Sequence, residues 1–240
     1  MRVFNTLRFK MLQNKRFKNY LLYALGEIVL VVLGILIALK VNNNNLQNQS
    51  EQQLLASANR VLELMQKDST EIHKVLKQWD LVDRTIDTVL VVTKPNEPIV
   101  NCKSCLNLLL SMKHPELDDE IIQLLSDEKL TNSELDNTLK AIVNDYKSIL
   151  ITARFYEESS TEVLKDYLNH LKDNYSWFAQ YVSSGICEED CLEYHFNSSD
   201  FRNRVAYLNL ILYDSYQYDL FVFRSKLKKH ISKLDSVLNN

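Results

Sequence analysis

The chain has 240 residues and a net charge of -3, and only three of its residues are Gly and three are Pro. Hairpins and tight turns depend on Gly, so this composition argues against a many-stranded sandwich or barrel and against a glycine-cradled nucleotide site. With 46% hydrophobic and 25% charged residues, the chain can bury a core. We therefore expect an all-α protein.

The N-terminal residues combine a basic tail with an apolar segment. Residues 1–19 contain six Lys and Arg and no acidic residue, and Glu27 is the only charged residue within 20–39. About twenty helical residues cover the roughly 30 Å hydrocarbon core of a bilayer. We therefore predict a transmembrane helix over residues 20–41, with the tail on the cytoplasmic side by the positive-inside rule.

The rest of the chain is acidic. Residues 41–240 carry 21 Lys and Arg against 30 Asp and Glu, which does not favour a nucleic-acid partner. We place residues 42–240 outside the cytoplasm, as the periplasmic part of a single-pass protein. Two alternatives are a cleaved signal peptide, which needs a shorter apolar run and a small-residue cleavage site, and a buried core helix, which leaves the basic flank unexplained.

Four residues of the predicted span are candidates for helix contacts within the membrane. Gly26, Gly34 and Ala38 are small, and Gly34 and Ala38 form a small-xxx-small pair that permits close helix approach. Glu27 lies about 10 Å along the span. Its carboxylate contacts a partner helix, reaches the cytoplasmic interface or is protonated, or belongs to an ion path. Besides the lipid bilayer, we expect a homo-oligomer or a separate membrane protein as the partner.

The same segment resembles a known family. Residues 20–39 read YLLYALGEIVLVVLGILIAL, and Asn42 and Asn43 follow. This resembles the N-terminal signature YLLYAxGE…GIxIALxxNN of a domain-of-unknown-function family of single-pass bacterial inner-membrane proteins. Asn44 stands where members often carry Trp. The resemblance implies an inner-membrane location and a helical extracytoplasmic portion, and it implies no activity.

Beyond the span, apolar spacing predicts three long helices, at about 46–92, 131–184 and 199–238. We expect them to form an elongated antiparallel bundle with short connecting helices. The first helix has a coiled-coil seam interrupted by Asp68. The predicted core positions of this seam are Leu54, Ala58, Val61, Met65, Ile72, Val75, Trp79, Val82, Ile86 and Val89.

Local signals set the expected helix boundaries. Thr131 and Glu134 form a capping-box pattern at the start of the second long helix. Gly185 suits a C-terminal stop, and Ser198 or Ser199 suits the N-cap of the third long helix.

Weaker points in the helical pattern are also visible. Residues 42–45 can loosen the first helix, and residues 157–160 can divide the second. Within the connector 99–130, residues 102–112 and 115–126 are candidates for short helices.

The third long helix is rich in aromatic side chains. They spread over more than one face, so we expect some to pack in the core and others to contact another helix or subunit. These residues are Tyr207, Tyr213, Tyr216, Tyr218, Phe221 and Phe223.

Four cysteines form the most distinctive chemical pattern. Cys102 and Cys105 give C-x-x-C, and Cys187 and Cys191 give C-x-x-x-C. An even count in an oxidising compartment predicts disulfides, with three connectivities. In an antiparallel layout the two pairs fall at opposite ends of the bundle, unless residues 99–130 cross it. We therefore favour the local pairs Cys102–Cys105 and Cys187–Cys191.

Other chemistry at the cysteines is an open alternative. Lys103 would favour a thiolate in a redox C-x-x-C, although the βαβ pattern of thioredoxin-like proteins is not visible. Four cysteines at these spacings also suit zinc. The acidic loop 187–191, with Glu193 and His195, is a solvated turn or a cation site.

These patterns predict a protein without catalysis. The five histidines are scattered, and the sequence has no metalloprotease, P-loop or dinucleotide-binding motif. We predict a membrane-anchored periplasmic scaffold, or a binding or sensing module, that is oligomeric and needs no cofactor or metal. The alternative is an extracytoplasmic thiol–disulfide or metal-binding protein that uses the two cysteine pairs.

Overall fold

The computed structural model of the chain describes residues 15–91, 102–110, 112–117, 119–126 and 133–239. All regular elements within these residues are helices. The expectation of an all-α protein is therefore confirmed for the described part of the chain. The chain divides into two compact units, Met1–Ala56 and Ser57–Asn240.

The first helix, α1, extends without a break from Lys15 to Val91. Gly and Pro are absent between residues 41 and 93 of the sequence, so this stretch contains neither of the residues that most readily end a helix. Residues 42–45 are helical, and the loosening expected there is not found. Pro95 and Pro98, just beyond the end of α1, lie outside the described residues.

Within the first unit, α1 exposes its apolar side chains. Leu30 is 71% exposed and Ile37 is 63% exposed, and their apolar neighbours are similar. The stretch Ala24–Leu90 contains a segment that is long and apolar enough to cross a membrane, and none of that segment is buried within the protein.

Within the second unit, α1 buries the predicted seam. All of the predicted core positions from Ala58 to Val89 are buried except Val82, which is half-buried. The remaining predicted position, Leu54, lies in the first unit and is half-buried. The polar interruption, Asp68, is also buried, and its carboxylate accepts a hydrogen bond of 2.8 Å from the Tyr146 hydroxyl. The hydrogen bond compensates the cost of placing a carboxylate in an apolar seam.

Two short helices follow, α2 (Lys103–Leu106) and α3 (Glu120–Ser126). Both are shorter than the predicted ranges 102–112 and 115–126. Between them, the backbone at Lys113 is held against α1, because Trp79 donates from its ring nitrogen to the Lys113 carbonyl at 2.9 Å.

The second long helix, α4, extends from Glu134 to Asn174. Its capping box pairs Ser133 with Asp136, whereas the predicted box began at Thr131, which lies outside the described residues. Residues 157–160 are helical, so the interruption considered there is wrong. The helix ends ten residues before the predicted end at 184, because Tyr175 adopts an extended backbone conformation.

Two further short helices lie between the end of α4 and the start of the C-terminal helical stretch. They are α5 (Phe178–Ser184) and α6 (Glu189–Asn197). Gly185 caps α5 with a φ of 69°, a left-handed conformation that Gly adopts without strain. The prediction of a stop at Gly185 is therefore confirmed.

The C-terminal stretch is helical over the predicted range, in three parts: α7 (Ser199–Leu208), a π-helix (Asn209–Tyr216) and α8 (Gln217–Leu238). The Ser198 side chain caps it by accepting hydrogen bonds from two backbone N–H groups, as predicted. The π-helical part has no counterpart in the sequence prediction.

The π-helix contributes two tyrosines to the core. The ring centroids of Tyr213 and Tyr216 lie 5.5 Å and 5.6 Å from that of Trp79. Tyr216 also stacks on Tyr156 of α4 at 4.9 Å. The wider turn of a π-helix brings both rings onto the same partner. By contrast, Tyr207, Tyr218 and Phe221 of the same stretch are exposed.

Contacts with the C-terminal stretch fix the direction of α1. Arg224 donates to the Ser69 carbonyl at 3.1 Å, and Gln217 donates to Asp80 at 3.2 Å. Residue numbers therefore rise along α1 as they fall along α8, and these two helices are antiparallel.

Contacts with α8 also fix the direction of α4. Asp145 accepts hydrogen bonds from Lys226 and His230, while Tyr156, further along α4, donates to Asp219. Hence α4 is also antiparallel to α8.

It follows that α1 and α4 are parallel to each other, and the antiparallel three-helix arrangement expected for them is wrong. The reason is the connector. Its described residues return along α1, from Lys113 beside Trp79 to Glu120, whose carboxylate pairs with Arg60 at 2.9 Å. After this return, α4 starts beside the N-terminal part of the buried seam of α1 and has the same direction as α1.

Candidate functional site at the disulfide-bonded end

The four cysteines form two local disulfides. Cys102 pairs with Cys105 at the start of α2, with Cα atoms 5.3 Å apart. Cys187 pairs with Cys191 at the start of α6, with Cα atoms 5.2 Å apart. The structure thus contains the two local pairs that the spacing favours.

The two disulfides lie at the same end of the second unit. The Tyr181 hydroxyl, on α5, donates to the Leu106 carbonyl of α2 at 2.6 Å and ties the two segments together. The expectation of opposite ends is wrong, because the connector crosses the bundle and its first part stays beside α5 and α6.

A cleft of about 640 Å³ separates the two disulfide-bonded segments. Its wall includes one cysteine of each pair, Cys102 and Cys187, together with the half-buried Leu192 and Phe196. Charged and amide side chains line other parts of the cleft, namely Lys103, Asn107, Glu189, Glu193 and Asn197. A mainly apolar cleft of this size with a few polar groups is typical of a binding site for a small molecule.

His195 lies behind the cleft and contacts the second disulfide. Its Nδ1 is 3.8 Å from the Cys187 sulfur and 3.7 Å from the Cys191 sulfur. The same Nδ1 is 2.7 Å from the Cys191 carbonyl, and Nε2 is 2.7 Å from the Tyr167 hydroxyl. A carbonyl can only accept, so the proton is on Nδ1 and the Tyr167 hydroxyl donates to Nε2.

Burial keeps this imidazole neutral. The side chain is 1% exposed, and this desolvation lowers the pKa of His195 below its ordinary value, while the hydrogen bond to the Cys191 carbonyl opposes the shift only in part. In this neutral form, Nδ1 donates to the Cys191 carbonyl and Nε2 accepts from the Tyr167 hydroxyl. A neutral imidazole can bind a metal through a ring nitrogen that gives up such a hydrogen bond.

Aromatic rings enclose His195. The centroids of Phe201, Tyr181 and Trp177 lie 4.9 Å, 5.3 Å and 5.7 Å from that of the imidazole. Burial raises the pKa of both Tyr167 and Tyr181, so their hydroxyls are neutral donors. The histidine therefore lies among aromatic rings, and its polar contacts include the Tyr167 hydroxyl, the Cys191 carbonyl and the second disulfide.

From the sequence, His195 was considered only with the acidic loop 187–191, as part of a solvated turn or a cation site. Its contact with the second disulfide was missed, because five scattered histidines give no ligand pattern. One signal was present. Cys187, Cys191 and His195 are four residues apart in sequence, a spacing that places them on one face of a helix.

The four residues singled out in the predicted membrane segment lie on α1 in the first unit, and all are exposed. Glu27, Gly34 and Ala38 are seven and four residues apart, which places them on one face, with Gly26 beside it. A side-chain carbon added at Gly26 or Gly34 would meet nothing within 4 Å.

Comparison with protein-family models, with curated proteins and with solved structures finds no match to this chain.

Proposed function

We propose that this protein is a membrane-anchored helical binding module without catalysis. Residues 20–41 span the inner membrane of a bacterium once, and residues 42–240 fold on the periplasmic side. The observation that carries the proposal is the apolar segment of α1, which leaves all of its side chains unburied next to a unit that buries its own core. A fully exposed apolar helix of this length needs a lipid surrounding.

The charge distribution supports the orientation. Six Lys and Arg precede the span, and such residues are retained on the cytoplasmic side. The segment beyond the span is acidic and contains both cysteine pairs, and disulfides persist in an oxidising compartment.

The cleft between the disulfides supports the binding role. The disulfides hold both of its walls, so the site is formed before a ligand arrives, which reduces the entropy lost on binding. Leu192 and Phe196 offer an apolar surface, and Lys103 and Glu189 offer charges at the same opening. This combination suits a largely apolar ligand with a polar end.

The face formed by Glu27, Gly34 and Ala38 supports contact with a second transmembrane helix. The space beside both glycines is open, so a partner helix can approach closely there. That partner is a second copy of the chain or a separate membrane protein.

Protease protection tests the orientation. Protease added to spheroplasts is expected to digest residues 42–240 and to spare the basic tail. Digestion of residues 42–240 only after lysis would place them in the cytoplasm and contradict the proposal.

The mass and composition of the full-length protein, extracted gently from its native membrane, test the proposed contact with a second transmembrane helix. We expect a homo-oligomer or a complex with a defined partner, and we expect Gly34→Leu or Glu27→Leu to dissociate it. Unchanged assembly in both variants would remove the membrane-contact part of the proposal.

A further inference from the structure

The second disulfide and His195 together contain a potential set of metal ligands. The sulfurs of Cys187 and Cys191 and a ring nitrogen of His195 all lie within 4.8 Å of one another. Two of the three residues are buried, and Cys187 is half-buried at the edge of the cleft.

We propose that Cys187, Cys191 and His195 bind a zinc ion when their disulfide is reduced, so that the disulfide acts as a redox gate on a metal site. This site differs from the four-cysteine site that the spacing alone suggests, because its nitrogen ligand comes from α6 and Cys102 and Cys105 take no part. It does not depend on the membrane anchor proposed above.

The geometry suits tetrahedral zinc. With Zn–S near 2.3 Å and Zn–N near 2.0–2.1 Å, a sulfur and a nitrogen ligand lie about 3.5 Å apart, and two sulfurs about 3.8 Å apart. The nitrogen-to-sulfur distances are already 3.8 Å and 3.7 Å. The two sulfurs have to separate by about 1.7 Å when their bond opens. His195 Nδ1 also has to give up its hydrogen bond of 2.7 Å to the Cys191 carbonyl.

The segment between the cysteines can accommodate that movement. Cys187 precedes α6, while Cys191 and His195 lie within it. Glu189 has a φ of 29°, a conformation that costs free energy for a residue with a side chain. A change in the loop 187–191 can release this strain, so the loop is the natural place for Cys187 to move.

Tyr167 supplies the support that a zinc-bound histidine needs. Metal binding at Nδ1 requires the imidazole proton to lie on Nε2, which is 2.7 Å from the Tyr167 hydroxyl. This hydroxyl donates to Nε2 in the disulfide form and accepts from Nε2–H in the metal form. A zinc-bound histidine is commonly oriented by such a bond from its other ring nitrogen.

Formation of the zinc site takes two steps, reduction of the disulfide and then binding of the metal. A dithiol reductant transfers two electrons and two protons to the disulfide, which gives two thiols on the protein and a disulfide on the reductant. Zinc then binds both sulfurs as thiolates, and the two thiol protons leave to water. The imidazole stays neutral, since its proton moves from Nδ1 to Nε2. The cleft beside Cys187 leaves room for a water as the fourth ligand.

Cobalt binding to the reduced full-length protein tests the proposal. The protein is extracted in detergent, reduced with a phosphine and titrated anaerobically with Co²⁺, whose absorption reports thiolate ligands and tetrahedral geometry. We compare the unchanged chain with the Cys187→Ser/Cys191→Ser variant and with the matched control Cys102→Ser/Cys105→Ser.

We expect one thiolate-bound cobalt per chain in the reduced protein and in the Cys102→Ser/Cys105→Ser control, and Zn²⁺ should displace it. We expect no such band in the oxidised protein or in Cys187→Ser/Cys191→Ser. Tyr167→Phe should weaken the affinity by roughly 10- to 100-fold without loss of helix content.

Three results would overturn the proposal. They are the absence of a thiolate–cobalt band in the reduced protein, a band that persists in Cys187→Ser/Cys191→Ser, and binding of equal affinity in the oxidised protein. None of them bears on the protease-protection experiment, so failure here is distinguishable from failure of the membrane proposal.

Discussion

Two stretches of the same helix, residues 24–41 and 58–89, carry apolar side chains in different arrangements. In the first, they occupy the whole circumference and are exposed. In the second, they form a stripe that is buried against other helices, while the remaining faces are polar. The apolar pattern of one helix therefore differs between its two stretches, and each pattern suits a different surrounding. An all-round apolar helix with no protein cover is matched to lipid, and a striped one to a protein core.

The largest effect is expected from charges placed in the first stretch. Val32→Arg combined with Leu33→Arg should abolish stable insertion, since each charge at the centre of a span costs about 2.5–3.5 kcal/mol. The measurement is the fraction of protein that stays with membranes after an alkaline wash.

The matched control for this variant places the same charges on the second unit. Leu81 and Ile151 are 63% and 73% exposed, so Leu81→Arg with Ile151→Arg should leave the protein in the membrane fraction. Equal retention of both double variants would contradict the assignment of the span.

A smaller but still large effect is expected in the buried stripe. Trp79→Ala removes a side chain that is 2% exposed, and it leaves a cavity beside Tyr213 and Tyr216. We expect a loss of about 3–5 kcal/mol in the free energy of unfolding, measured by urea denaturation in detergent. Phe221→Ala, at a side chain that is 64% exposed, should change the free energy by less than about 0.5 kcal/mol.

An intermediate effect on stability is expected at Asp68, the polar residue that interrupts the buried stripe. Tyr146→Phe removes the hydroxyl that donates to Asp68, so we expect a loss of about 1–3 kcal/mol in the free energy of unfolding. Tyr207→Phe is the control, because Tyr207 is 57% exposed. If the two variants were equally stable, the hydrogen bond to Asp68 would contribute little to the core.

The smallest effect concerns the pairing of α4 with α8, and it depends on pH. Burial alone would raise the pKa of Asp145, but hydrogen bonds from Lys226 and His230 outweigh it and hold the pKa below its ordinary value of 3.8. A lowered folded-state pKa contributes stability above the unfolded-state pKa, and this contribution is lost as the pH falls through the folded-state value.

Asp145→Asn should therefore destabilise the protein by about 1 kcal/mol near neutral pH, and the difference from the unchanged chain should shrink below a pH of about 4. The measurement is the midpoint of urea unfolding as a function of pH. Asp173→Asn, on the same helix with a side chain that is 66% exposed, should behave as the unchanged chain at every pH. A difference for Asp145→Asn that is independent of pH would exclude the ion pairs as its cause.

Periodicity and local chemistry could be predicted from the sequence, and long-range topology could not. Features that depend on residues close together in sequence could be predicted. They are the seam from Ala58 to Val89, the cap at Ser198, the stop at Gly185 and the local pairing of the cysteines. The parallel direction of α4 depends on the connector, whose return along α1 rests on tertiary contacts of Lys113 and Glu120.

The candidate site shows the same division. The disulfide between Cys187 and Cys191 follows from their spacing, but the cleft that brings Cys102 to the same place follows from the connector. His195 has no motif of its own, and its importance comes from the Tyr167 hydroxyl, which lies 28 positions earlier in the sequence.

The packing of α8, the last helix, on α1 has a consequence for synthesis of the chain. The buried stripe of α1 is covered in part by α8, and the hydrogen bond between Ser69 and Arg224 joins residues 155 positions apart. At about 5–20 residues per second, a ribosome needs on the order of ten to thirty seconds to make that intervening chain. During this interval the stripe has left the ribosome without its C-terminal cover, so a nascent chain must be shielded from aggregation until its last helix emerges.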